Sequence, residues 1–252
     1  MKVGILQCDD VRQSLQSDFG DYAAMFEALF QQVDEALELR FYLVIDGQLP
    51  QHIDECDVYV CSGSKWGVND DDLWIRQLED FIRSLYVARK GLVGICFGHQ
   101  LMAKALGGEV EKSPLGWGVG IAHAKVLAGQ GWMQPKQDNI ALVVCHQDQV
   151  CKLPRNATVL MSNDFCPYSM FQVDSHFLGL QGHPEFTARY SAALMDQRRD
   201  IIPADTIESA MASLSYQADD KLITKWILAF LKQTRLRGSR CEHNNSHANK
   251  RD

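Results

Sequence analysis

The chain has 252 residues, a net charge of −7, and a composition that is 46% apolar and 23% charged. This length and balance suit one large α/β domain or two small ones. The acidic balance argues against a general nucleic-acid binder, and no apolar run is long enough to span a bilayer. The segment from Met1 to Gln7 lacks a signal-peptide layout, and the eight cysteines (8, 56, 61, 96, 145, 151, 166 and 241) include no C-x-x-C pair. Reduced thiols in a cytoplasmic protein, with no zinc site, are therefore expected.

In chain order, Lys2 to Gln7 reads as a buried strand and Asp18 to Leu37 as one amphipathic helix, with Tyr22, Phe26, Leu29, Phe30, Val33 and Leu37 on one face. Arg40 to Ile45, closed by Asp46-Gly47, and Asp57 to Cys61 read as the next strands. A loop, Ser62 to Asp70, follows. Asp70, Asp71 and Asp72 then open a helix to about Arg89, and its stripe of Trp74, Leu78, Phe81, Ile82 and Leu85 reads as core. Strand, helix and strand without hairpin turns imply a parallel sheet.

The apolar run Gly91 to Ile95 leads into Cys96-Phe97-Gly98-His99-Gln100, and a helical pattern continues to Gly107-Gly108. Cys96 is thus predicted on a sharp strand-to-helix turn, with a glycine two residues away on each side, as in a nucleophile elbow. Helix N–H groups pointing at the sulfur would favour the thiolate. The paired glycines make an inert buried cysteine the weaker reading. The loop Ser62-Gly63-Ser64 falls after a strand, at the sheet edge where open α/β sheets bind ligands. It reads either as a donor loop for an oxyanion or as a plain connection.

Beyond the elbow, Glu109–Lys112, Gly120–Leu127, Ile140–Cys145, Thr158–Ser162, Tyr168–Val173 and His176–Gln181 are short strand candidates, which implies an antiparallel extension. Helices return at Thr187–Arg199, Ala204–Ser215 and Asp219–Leu236. With no Pro-, Gly- or Ser-rich linker, residues 1–236 are expected to form one domain, and 237–252 a polar, disordered tail. A cysteine nucleophile needs a base and an orienting group. Among eight histidines, His183 stands apart, because His183-Pro184-Glu185 follows a strand that ends in Gln181-Gly182. By spacing alone, a base with its carboxylate and a surface turn with incidental charges are equally good readings. His123, mid-strand, reads as structural.

Gly-Ile-Cys-Phe-Gly-His-Gln at 94–100, together with Gln-Gly-His-Pro-Glu at 181–185, resembles the class I (triad) glutamine amidotransferases. Ser62-Gly63-Ser64, Cys145-His146-Gln147-Asp148-Gln149-Val150 and Ser162 to Ser169 resemble three further blocks of that family, in the same order. The resemblance extends through most of the chain and is greatest to stand-alone proteins similar to the glutaminase domain of GMP synthase.

It implies a flavodoxin-like fold: an open, mostly parallel mixed sheet flanked by helices, with an antiparallel extension. It implies Cys96 as nucleophile, His183 as base and Glu185 as the group orienting it. The oxyanion would be held by the N–H groups of Phe97 and Ser64, with Gly63 permitting the turn. Gln100, His146 and Asp148 would contact the substrate. The chemistry implied is hydrolysis of the glutamine side-chain amide through a γ-glutamyl thioester, without metal or cofactor, releasing ammonia to a possible separate synthase subunit. The chain carries no phosphate-binding or adenylating loop of its own. Two alternatives stay open: a γ-glutamyl peptidase with the same triad, its pocket altered at Ser64, Lys65, Trp66 and Gln147, and a catalytically idle binding or regulatory protein. A different α/β class with a cysteine elbow has no need of the His-Pro-Glu block and ranks low.

Overall fold

The computed structural model describes residues 1–248, with side chains to residue 236. Its elements are β1 (Lys2–Gln7), α1 (Gln13–Phe19), α2 (Tyr22–Gln31), β2 (Glu38–Leu43), β3 (Val58–Cys61), α3 (Leu73–Val87), β4 (Gly91–Ile95) and α4 (Phe97–Ala105). Then follow β5 (Glu109–Lys112), β6 (Gly118–Val126), β7 (Asn139–His146), β8 (Asp148–Lys152), β9 (Ala157–Ser162), β10 (Met170–Val173) and β11 (Phe177–Leu180). Three helices end the chain: α5 (Ala188–Asp196), α6 (Ala204–Ser213) and α7 (Asp220–Ala248).

Nine strands form one sheet in the order β2-β1-β3-β4-β11-β10-β9-β6-β7, and β5 pairs with β8 in a separate ribbon. The strands from β2 to β11 in that order run parallel, and β10, β9, β6 and β7 extend the sheet in antiparallel fashion. This is the open, mostly parallel mixed sheet that the motif order implies.

The parallel strands read as apolar runs because they are covered on both faces. Val3, Ile5, Val58, Val60, Val93, Ile95, Leu178 and Leu180 point to one side, where Phe26 and Phe30 of α2 and Trp226 and Phe230 of α7 cover them. Leu6, Tyr59, Cys61, Leu92 and Phe177 point to the other, against Ile75, Leu78 and Ile82 of α3 and Leu101 and Met102 of α4. The period-two alternation therefore sorts residues between two buried faces rather than between core and water.

Several sequence expectations need correction. The single helix over 18–37 is two helices, broken at Gly20 (φ +73°). Asp21 then caps α2 by accepting from the Ala24 N–H at 2.8 Å. The second strand ends at Leu43, and a 3₁₀ turn, Val44–Asp46, closes on left-handed Gly47. Helix α3 starts at Leu73, after the three aspartates, and Asp72 makes no side-chain cap. Trp74 is half-buried rather than core, and His123 is exposed. Strand β8 was not anticipated; Asp148 and Gln149 leave the family-like block as a strand paired with β5. The last helix continues past residue 236 to Ala248. The side chains of the expected tail from 237, and all of residues 249–252, lie outside the described residues. Among the described residues no helix is long and apolar enough to cross a membrane.

The junction of β4 with α4 leaves no room for side chains. A Cβ on Gly94 would lie 2.4 Å from the Gly98 carbonyl oxygen, and one on Gly98 would lie 2.5 Å from that of Cys61. Alanine has the better backbone propensity by about 0.5–1 kcal/mol. Overpacking costs roughly 1–3 kcal/mol, more where the obstructing atoms are main chain. The clash should win. Gly94→Ala is therefore expected to lower the free energy of urea unfolding by about 2 kcal/mol or more; an unchanged midpoint would show that strand and helix can separate freely.

Candidate active site

Parallel register levels the ends of three strands. Cys61 of β3 pairs with Gly94 of β4, and Ile95 pairs with Leu180 of β11. The residues that follow, Ser62-Gly63-Ser64, Cys96 and Gln181 to Glu185, therefore emerge side by side at one sheet edge. Hydrogen bonds fasten them together. The Cys96 N–H donates to the Leu180 carbonyl at 2.8 Å, Gly98 N–H to that of Ser62 at 3.2 Å, and His183 N–H to that of Val143 at 2.8 Å.

Cys96 occupies the N-cap position of α4 with φ +49° and ψ −100°. Such a backbone costs a non-glycine residue about 1–3 kcal/mol and persists only where the surroundings impose it. Here the Gly94–Gly98 contact imposes it. The first-turn N–H groups of α4, including that of Phe97, lack intrahelical acceptors and face the same end. Cys96 is 5% exposed.

His183 and Glu185 are brought together beside it. His183 Nδ1–H donates to Glu185 Oε1 at 2.6 Å, and both side chains are buried. This leaves Nε2 as the ring's other functional nitrogen. The Phe186 ring stacks on the imidazole, with centroids 4.1 Å apart and planes 3° from parallel, which fixes its tilt. A Cβ on Gly63 would lie 2.7 Å from His183 Cε1 and 3.6 Å from Cys96 Cβ, so the loop backbone itself touches both side chains. Burial pulls the imidazole pKa down, but Glu185, then Cys96, outweigh it and hold the ring well above its ordinary value.

Of the other expected residues, Ser64, Gln100, His146 and Asp148 line a cleft of about 440 Å³ with Cys96, Lys65, Trp66 and Arg198, while Gly63 and Phe97 lie behind its wall, next to Ser64 and Cys96 in the chain. The Gln100 amide donates to the Asp148 carbonyl at 2.7 Å and to Gln181 Oε1 at 3.1 Å, so it braces the wall. His146 Nδ1–H donates to the Asp148 carbonyl at 3.0 Å. Burial pushes that ring's pKa down to about 4, so it is neutral with a lone pair on Nε2. Burial also raises the Asp148 carboxyl. The Ser64 hydroxyl is committed to the Cys8 carbonyl at 2.8 Å, which leaves its main chain to face the cleft.

Sequence reasoning missed three contributors. Asp9, 5% exposed just beyond β1, accepts from the Lys65 N–H at 2.9 Å and Lys65 Nζ at 3.1 Å and so shapes the Ser64 loop. Its place after a strand at the binding edge was a usable signal. Tyr22 is buried where the charges of Asp9 and Glu185 reach it. Arg198 lies on a helix end with no local pattern, yet donates to Cys145 Sγ at 2.9 Å.

Two outcomes should follow. Because alanine keeps the Cβ that makes positive φ costly, Cys96→Gly is expected to be more stable than Cys96→Ala by about 1–3 kcal/mol in chemical denaturation. Equal stabilities would show that the elbow holds no strain. Glu185→Gln is expected to lower the His183 pKa in an NMR titration. The folded value is raised, so the stability from this pair is present below the unfolded imidazole value of about 6.5 while Glu185 is ionised. It is lost as pH rises through the folded value. An unmoved titration would remove Glu185 from this role.

The family described as glutamine amidotransferase class-I matches residues 55–198. Gamma-glutamyl peptidase 4 of Arabidopsis thaliana is 30% identical over 225 residues, covering 85% of this chain and 89% of that protein. GMP synthase of Aeropyrum pernix is 28% identical over 168 residues, 64% of this chain but 31% of that one. Among solved structures, a glutamine amido transferase from Methylobacillus flagellatus superposes with a TM-score of 0.73 at 21% identity, covering 94% of each chain. The chain belongs to the class I glutamine amidotransferase family.

Proposed function

We propose that the protein is a thiol hydrolase that cleaves γ-glutamyl amide bonds through a thioester on Cys96. The observation that carries this reading is the buried His183–Glu185 pair, 2.6 Å between Nδ1 and Oε1, beside a cysteine on a strained elbow. His183 Nε2 takes the thiol proton as Sγ attacks the γ-carbonyl carbon. The negative oxygen of the tetrahedral intermediate is received by the N–H groups of Phe97 and Ser64, with Gly63 allowing the loop to approach. The intermediate collapses, the C–N bond breaks, and the imidazolium passes its proton to the leaving nitrogen. Water then attacks the γ-glutamyl thioester with His183 again as base, the C–S bond breaks, and glutamate is released. Glu185 holds the His183 tautomer and favours the imidazolium formed in each half. The His146 Nε2 lone pair and the Asp148 carboxylate suit the substrate's α-ammonium, and Gln100 keeps Asp148 in place.

The leaving group decides between two versions. Likeness to Arabidopsis proteins named gamma-glutamyl peptidases runs through 84–97% of their length, whereas the GMP synthase of Aeropyrum pernix is matched over 31% of its own. This supports a self-sufficient γ-glutamyl peptidase. Glutamine hydrolysis that supplies ammonia to a separate synthase is the second version, and it rests on the class I family itself.

Steady-state release from glutamine and from γ-glutamyl dipeptides separates them. The expected result is a higher kcat/KM on dipeptides, with no partner added. Cys96→Ser should abolish it, and His183→Asn should lower kcat by about 10²–10⁴-fold. Ammonia from glutamine alone would select the second version. Activity that survives Cys96→Ser would sink the thioester mechanism, and a protein that forms no adduct at Cys96 with any of these substrates would be a binding protein.

A further inference from the structure

The cleft carries cations the triad does not need: Lys112, opposite Asp148 in the β5–β8 ribbon, acts on that carboxyl, while two arginines lie elsewhere in the lining. Asp70 and Asp148 flank Gly67, where a Cβ would lie 3.3 Å from a carboxylate oxygen of each. Arg12 and Arg198 also line the cleft, and Arg12 Nη1–H donates to the carbonyl of Gln197, the neighbour of Arg198, at 3.3 Å. Among the described residues neither arginine forms an ion pair with a carboxylate, although Lys65, also in the cleft, is paired with Asp9. Arg198 is half-buried. It gives one N–H to Cys145 Sγ, a thiol whose pKa is raised by burial and which therefore offers no anion. A guanidinium has five donors, so most of its fork is uncommitted. The guanidinium also lies over the Trp117 ring, 5.9 Å from its centroid, which leaves its in-plane donors available, and Cys145 lines the cleft with Cys96. In a chain of net charge −7, two unneutralised arginines at one site are not a general surface property.

We infer that Arg198, with Arg12 beside it, binds a carboxylate carried by the amine that leaves the γ-glutamyl group. The site is thereby specific for γ-glutamyl peptides whose leaving amino acid is anionic, and poorly suited to glutamine, whose leaving group is ammonia. A bidentate guanidinium–carboxylate contact fixes orientation as well as charge. It would set the scissile nitrogen against His183, while the Asp70 and Asp148 carboxylates take the α-ammonium. This inference rests on the γ-glutamyl hydrolase reading above.

The test compares kcat/KM for γ-glutamyl-alanine, γ-glutamyl-alaninamide and glutamine. The acid and its amide differ only in the proposed anchor. The wild type should prefer the acid by about tenfold or more, the scale of one charge-assisted contact. Arg198→Met should bring the acid-to-amide ratio to within about twofold, and Arg198→Lys should retain part of it. Calorimetric binding of acid and amide to Cys96→Ala gives the same comparison without turnover, and decides the matter if Arg198→Met does not fold. Equal use of acid and amide by the wild type would overturn the inference, as would a preference that survives Arg198→Met. Turnover of glutamine with neither peptide would overturn it while leaving the hydrolase reading intact; turnover of none of the three would overturn both.

Discussion

The backbone of α4 lies directly against the end of β4, with glycine at both points of contact, and the site depends on that approach. A Cβ at Gly94 or Gly98 would drive into main-chain oxygen at 2.4–2.5 Å. With helix and strand this close, the residue between them has to turn at positive φ, and that residue is Cys96. The same contact sets where α4 begins, so its first-turn N–H groups lie at the end of the helix that carries Cys96. The placement of Cys96 and its local strain therefore have one steric origin.

Parallel pairing supplies the second condition. With β3, β4 and β11 in register, the chain leaves the sheet three times at one level, once into the Ser62–Ser64 loop, once into the elbow and once toward His183. Gly63 lets the first of these come within contact of the imidazole. Both sheet faces are buried, so these strand ends rest on a packed core and cannot shift independently. The imidazole is held by Glu185 at Nδ1 and by Phe186 across its face, and the backbone that carries it is fixed by the His183 main-chain N–H on the Val143 carbonyl.

Burial and charge oppose each other throughout the cleft, and the winner differs from residue to residue. At His183 an adjacent carboxylate outweighs desolvation, and the ring favours its proton. At His146 the hydrogen-bond partner is a carbonyl, desolvation wins, and the ring stays neutral as an acceptor. At Arg198, among the described residues, no carboxylate pairs with the guanidinium, which meets Cys145 Sγ and the Trp117 ring instead. Two histidines and an arginine near Cys96 thus differ in charge and hydrogen-bonding state because of their neighbours alone.

Much of the fold was legible because its signals are local. A strand buried on both faces is an apolar run, and a helix entered through a tight turn needs glycine on either side of that turn. Cys96 and the parallel half of the sheet could be read from the chain for these reasons. The pairing of His183 with Glu185 was only half legible, since a spacing of two residues does not say whether the side chains meet; burial between Phe186 and Gly63 decides that. The break at Gly20 is itself a local signal, a left-handed glycine followed by the Asp21 cap, that the longer apolar stripe hides; the strand at Asp148–Lys152 and the half-exposed Trp74 depend on partners distant in sequence. Asp9, which holds Lys65, and Arg198, which lines the cleft, come from positions remote in sequence from the elbow, one before it and one after. Residue types and their order determined the family and the position of the elbow at Cys96. Which charges face the substrate was decided only in three dimensions, because an ionisable group takes its role from neighbours that the chain brings to it by folding.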